Sequence, residues 1–159
     1  MFSIRLVKLI EAHSEKLAQG LMHSLQTSPR SSELLRKVPA DELKHRAQEI
    51  YRNLGDWLVN KTESEVEERY TGIGMRRARQ GVPFCDFMWA IILTKEYLWE
   101  YLQSEGLLEE PVELLGELDL LRHLERFFDR ATYFAAVGYE SAIRHESARH
   151  AAVPATASR

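Results

Sequence analysis

The sequence predicts an all-α fold of about five to six helices, closed by a long C-terminal helix. Apolar residues recur every three or four positions through each extended segment, as one face of a helix requires. No segment alternates apolar and polar residues with the period of two that marks a half-buried strand. Helix start and stop signals punctuate the pattern, the clearest at Thr62, Gly81 and Pro83.

Ile4, Val7, Ile10, Ser14, Leu17, Leu21 and Leu25 define one amphipathic N-terminal helix that ends before TSPRSS. Leu6, Leu9 and Met22 form a second, spare row on it. A short helical turn in SELLRKV stops at Pro39. Asp41 then suits the N-cap of a helix whose buried stripe is Leu43, Ala47, Ile50, Leu54 and Leu58, with Trp57 beside it. NKTESE breaks that helix. Thr62 followed three positions later by Glu65 reads as a capping box, in which each side chain satisfies the other's backbone N–H. The helix it opens has a thin apolar face of Val66, Tyr70, Ile73 and Ala78. Gly81 suits the C′ position, where the chain turns left-handed, and Pro83 suits the first turn of the next helix.

From Phe84 to about Tyr101 apolar residues cover nearly every face, among them Phe87, Met88, Trp89, Ile91, Ile92 and Leu93. A helix of this kind, over 83–104, is expected to be central and buried on most sides. Gly106 ends it. After EEP a last pattern runs from Val112 to about Ala148, marked by Leu115, Leu118, Leu121, Leu124, Phe128, Ala131, Ala135, Tyr139 and Ala142. Its roughly 35 residues span about 50 Å, so the helix should project beyond the core. Residues 1–148 thus read as one helical domain and 149–159 as a flexible tail.

A chain of 159 residues that is 45% hydrophobic can bury one real core. The net charge of −3, with Lys and Arg scattered, argues against a nucleic-acid partner, which needs a basic face. Cys85 is the single cysteine, so an intrachain disulfide and a cysteine-based zinc site are both excluded. The N-terminus lacks a secretory apolar stretch, and the apolar run FMWAIIL is far too short to span a bilayer. These features point to a cytoplasmic chain with no membrane partner.

The stretch GIGMRRARQGVPFCDF is the most unusual, and it invites a phosphate-loop reading. A dinucleotide fingerprint needs a third glycine where Arg77 stands, and a preceding strand. A P-loop needs Gly-Lys-Ser/Thr, which is absent. The helical reading is better: Gly74 and Ala78 share a face with no bulky side chain, suited to close packing of a second helix. Arg76, Arg77 and Arg79 then flank that face, solvated or paired with the acids of ESEVEE upstream.

No residue set completes a catalytic or metal site. Glu42 and His45 have the spacing of a di-iron bundle motif, but that site needs two such motifs. Asp119 with His123 and Glu146 with His150 are isolated pairs of a kind common on charged helices. No serine or cysteine stands beside an activating pair, and Cys85 suits a small core residue. Glu96 and Glu100 mark the solvent edge of the aromatic helix.

The run GIGMRRARQGVPFCDFMWAIILTKEYLWEYL, followed by LLRHLERFFDRATYFAAVGYESA, resembles the N-terminal sensor domains of RsbR-type stressosome proteins, the RsbT co-antagonist family. The matching positions are Gly74, Arg77, Ala78 and Gly81, and the likeness spans roughly residues 30–145. It implies a globin-like, all-α, usually dimeric sensor of bacterial stress signalling that is not an enzyme. In that family the last helix leads to an output domain, which this sequence does not include; the chain is then a piece of a longer member or a free-standing module. The resemblance further implies a non-haem member with no cofactor, because no histidine lies between Gln48 and Leu121, where a globin's proximal ligand belongs. His45 and His123 are on helices able to face a cavity, and a pocket is expected between the aromatic helix and its neighbours.

Two other function classes stand beside this one: a haem- or metal-binding sensor, and a small helical enzyme for which the paired nucleophile and base are missing. The expected mode of assembly is a homodimer through the last helix. Tyr133, Phe134 and Val137 do not all share the face of Phe128, Ala131 and Ala135, so one stripe needs a second surface. Leu6 and Leu9 of the first helix lie alongside them in this reading.

Overall fold

The computed structural model describes residues 4–105 and 111–153, and the regular structure among them is helical throughout. The expected first helix is two helices, α1 (Ile4–Ala12) and α2 (Ser14–Thr27). They part at His13, whose φ of −102° and ψ of 18° leave the α region while its ring donates to the Leu9 carbonyl at 2.9 Å. A 3-10 turn, Pro29–Ser31, leads to α3 (Ser32–Lys37). Asp86, from a later helix, accepts the Glu33 N–H there at 3.2 Å.

α4 (Ala40–Arg52) starts directly after Pro39, which holds the N-cap. Asp41 is therefore in the first turn rather than at the cap, where its charge still opposes the helix dipole. The single helix expected through Leu58 breaks at Asn53 and resumes as α5 (Leu54–Val59). Glu11 of α1 accepts the Gly55 N–H at 2.8 Å, so a side chain from another helix satisfies a backbone donor that the break exposes.

α6 (Glu63–Arg79) opens on the capping box: Thr62 Oγ1 accepts the Glu65 N–H at 3.2 Å and Glu65 Oε2 accepts the Thr62 N–H at 2.8 Å. It closes on Gly81 at a φ of 75°. The Gly81 N–H reaches the Ala78 carbonyl at 3.0 Å and the Val82 N–H the Arg77 carbonyl at 3.1 Å, the bond pair of a Schellman turn. Pro83 caps α7 (Phe84–Ser104) from just outside its first turn. Gly106, read as the end of that helix, is outside the described residues. The last helix, α8 (Pro111–Ala152), has 42 residues and continues four past Ala148. The segment read as a tail thus begins inside a helix, and 154–159 are outside the described residues.

α7 is not the enclosed centre its composition suggests. Only Phe87, Leu98 and Leu102 are buried on it, and Ile92 and Phe84 are each 39% exposed. The centre is the pair α6–α8, which run side by side in the same direction. Arg130 pairs with Glu63 at 3.4 Å near the start of α6, and the Tyr139 hydroxyl donates to the Val82 carbonyl at 2.6 Å just past its end. Tyr70 and Phe127 meet edge to face with ring centres 5.7 Å apart between them.

The two helices touch backbone to backbone. A Cβ built on Gly74 collides with the Ala135 carbonyl and comes within 2.9 Å of the Tyr139 amide nitrogen. A Cβ on Gly138 collides with the Thr71 carbonyl. Ala78, Ala131 and Ala135, all buried, continue the strip of small residues along the contact. Gly72 takes no part in it: nothing lies within 4 Å of a Cβ built there.

The two glycines should therefore respond in opposite directions to one added methyl. Gly72→Ala should stabilise the fold by about 0.5–1 kcal/mol, through helix propensity alone. Gly74→Ala should destabilise it by about 1–3 kcal/mol, because the helices must separate. Urea unfolding of the two variants checks this, and equal effects would contradict the contact.

Candidate functional site

Three features concentrate the unusual chemistry of the chain: a polar clamp between α4 and α6, an apolar row on α8, and a cavity between α2, α4, α6 and α7. The clamp centres on Glu42 in the first turn of α4. Arg76 donates to it through Nε at 2.6 Å and Nη2 at 2.9 Å. Arg77 donates through Nη1 to Glu42 Oε1 and to Gln80 Oε1, both at 2.7 Å, and Gln80 Nε2 donates back to Glu42 Oε2 at 3.2 Å. Arg77 is 3% exposed, so its charge is answered inside the fold rather than by water. The Arg76 hydrogen bond, opposed by burial and reinforced by Arg77, holds the Glu42 carboxyl down to about 2.

This arrangement corrects the expectation for Arg76 and Arg77, that they stay solvated or pair with ESEVEE, while Arg79 is exposed. Arg76 and Arg77 reach across to a carboxylate 34 and 35 positions earlier, which no local spacing reveals. Glu42 is thereby committed to arginines, while His45 one turn on is exposed, so the Glu-x-x-His spacing holds no ligand pair. Among the described residues no three His, Cys, Asp or Glu side chains converge as a metal site. Cys85, expected in the core, is exposed, with its thiol 3.5 Å from Asp86 Oδ1. Glu96 and Glu100 are exposed on the solvent edge of α7.

The expected interface residues separate into two groups. Tyr133 is 63% exposed and Val137 41%, and Leu115, Leu118 and Ile143 join them on the outward side of α8. Phe134, one position from Tyr133 and so about 100° round the helix, is buried in the core. Leu6 and Met22 are also core residues, and Leu9 is half-buried against that core. The spare row on the N-terminal helix does not exist, because α4 and α5 pack over α1. Gly74 and Ala78 face α8 as described above, and sequence reading missed Gly138, their counterpart on α8.

The cavity has a volume of about 90 Å³. Leu21 and Leu25 of α2, Leu43 and Ala47 of α4, Tyr70 and Ile73 of α6, and Phe87 and Ile91 of α7 are part of its wall. It borders the aromatic helix, where a pocket is expected. Neither His45 nor His123 reaches it: His45 is exposed, and His123 lines a separate polar hollow with Lys61 and Arg126. Among the described residues the wall carries no histidine, cysteine or methionine, and Tyr70 is its one tyrosine.

A family model described as the RsbT co-antagonist protein rsbRD N-terminal domain matches residues 15–153. The chain belongs to that family. The match reaches further at both ends than the resemblance over 30–145, and takes in α2 and the full length of α8. No curated relative and no solved structure matches the chain. The family has a regulatory role in the stressosome and is not a known enzyme family. Among the described residues no helix is long and apolar enough to cross a membrane.

For this RsbT co-antagonist domain the clamp sets an acid limit. The folded value of Glu42 lies below its unfolded one, so its contribution is complete above about pH 5 and is lost as pH falls towards 2. Glu42→Ala leaves Arg77 buried with Gln80 alone and should cost about 3 kcal/mol near neutrality. The loss should shrink towards pH 2, where the native carboxyl is itself protonated. Thermal melts of both proteins from pH 7 to pH 2.5 check this, and a pH-independent difference would contradict it.

Proposed function

We propose that this chain is a non-catalytic, globin-like sensor or regulatory module of bacterial stress signalling. It forms a cytoplasmic homodimer through α8 and passes a movement of that helix to an output domain or protein partner. The observation that carries the reading is the outward row on α8. Leu115, Leu118, Tyr133, Val137 and Ile143 are large, apolar and exposed on one helix, and no other described residue covers them. A second copy is the commonest cover for such a row, since a two-fold axis brings the same patch against itself. Arg122, Arg126 and Asp129 interrupt the row at its middle and offer charges that can pair across the axis.

The length of α8 supports the relay. Ala142 is its last buried residue, and the helix continues to Ala152, about 15 Å further. A rigid helix that leaves the core carries a shift or rotation outward without loss, and parallel pairing sets the two ends side by side. The haem- or metal-binding alternative is less well supported, because the cavity wall offers no imidazole or thiolate.

Light scattering should give a dimer mass at micromolar concentration. Tyr133→Glu with Val137→Glu should convert it to a helical monomer, since both side chains are exposed and their loss leaves the core intact. A monomeric native protein, or a dimer indifferent to the double substitution, would contradict the proposal.

A further inference from the structure

The cavity between α2, α4, α6 and α7 has an apolar interior and a cationic rim. Its 90 Å³ is lined by aliphatic and aromatic side chains and opens to the surface, and the charged groups that border it are three arginines and a single carboxylate. Arg46, Arg69 and Arg77 line it, against Glu49. Arg77 is taken by Glu42 and Gln80, as in the clamp above. Arg69 pairs with Glu49. Arg46 is left with only a 3.8 Å approach to the same Glu49 carboxylate, and makes no side-chain hydrogen bond to any described residue.

Among the residues that line the cavity, Arg46 and Arg69 therefore share one carboxylate, Glu49. Burial, with Arg69 close by, pushes the Arg46 guanidinium below its ordinary value. Arg46 and Arg69 also border an adjoining surface hollow with Glu65 and Glu68, of which Glu65 is held by Thr62 and Lys61. A half-buried guanidinium short of hydrogen-bond acceptors, beside an empty apolar space, lacks an anion that brings its own apolar tail.

We propose that this cavity binds a short-chain aliphatic carboxylate, with its tail among Leu25, Ala47, Phe87 and Ile91 and its head on Arg46 and Arg69. The volume of the cavity suits about four carbons, judged against the ~150 Å³ apolar cavity that admits benzene, and the remainder of the chain reaches towards the rim. As the input of the sensor this rests on the reading above. As a binding site it stands alone, because α6 and α7 form its walls whether or not α8 pairs with a second copy.

Calorimetric titration of the purified chain with hexanoate, 1-hexanol and acetate tests it. Hexanoate should bind at millimolar concentration or below, and the tail without the charge and the charge without the tail should each bind about tenfold or more weaker. Arg46→Met should weaken hexanoate by about tenfold, and Ala90→Leu, which fills the cavity from α7, should remove the binding. The three native titrations decide the matter even if a variant fails to fold. No binding of hexanoate, or hexanol binding as tightly as hexanoate, would overturn the proposal, as would unchanged affinity in a folded Arg46→Met. Binding is read without reference to oligomeric state, so its failure leaves the dimer reading to be judged by its own experiment.

Discussion

Two helix backbones in direct contact leave no space for side chains between them, and this constraint organises the whole chain. At Gly74 and Gly138, α6 and α8 meet main chain to main chain. The glycines cost helix propensity, roughly 1 kcal/mol each, and the close approach repays it through dispersion contacts along the rest of the seam. Tyr70, Phe127 and Phe128 fill the widening space at one end, and Tyr139 ties the other end to the turn after α6. With one face of α8 committed to α6, its opposite face has no cover among the described residues. The exposed row of Leu115, Leu118, Tyr133 and Val137 is thus the geometric counterpart of the seam.

The same seam joins the cavity to the projecting helix. Tyr70, Ile73 and Arg77 are on α6, where they border the cavity, while Gly74 and Ala78 between and beside them meet α8. Glu42 holds Arg76 and Arg77 and so fixes the C-terminal half of α6 against the start of α4. On the proposed reading, a change in the cavity that displaces α6 must carry α8 with it, because packed backbones do not slide independently. Lys95 and Trp99 of α7 both donate to Glu125 of α8, at 3.1 and 2.9 Å, and give a second and more polar link to the same helix.

Local signals were legible in the sequence and long-range ones were not. The capping box at Thr62 and Glu65 and the left-handed Gly81 depend on neighbours within a few positions, and both are formed. The break at His13 has no neighbouring glycine or proline to announce it, and Gly55 alone stands near the one at Asn53; both follow from how α1 and α2, and α4 and α5, fit around the core, with Glu11 holding the second. The all-round apolar pattern of α7 was misleading, because composition cannot separate a helix enclosed by its own chain from one that keeps half-covered faces. Likewise Phe134 and Leu6 carry the same hydrophobic signal as Tyr133, and only packing tells a core residue from an exposed one. Glu42 with Arg77, and Gly138 against Thr71, are pairs that exist only after folding brings distant segments together.

The central claim is that α8 pairs in parallel with its counterpart and carries its end away from the core. Pulsed electron-resonance distances test it directly, with a nitroxide on Ser147→Cys in a Cys85→Ser background. Ser147 is exposed on the projecting turns, and Cys85 is the single native cysteine. Parallel helices about 8–10 Å apart, with two label arms, should give one narrow distance of about 15–30 Å between protomers. A distance near 50 Å, as an antiparallel pair centred on Asp129 would give, or no distance between protomers at all, would contradict the account.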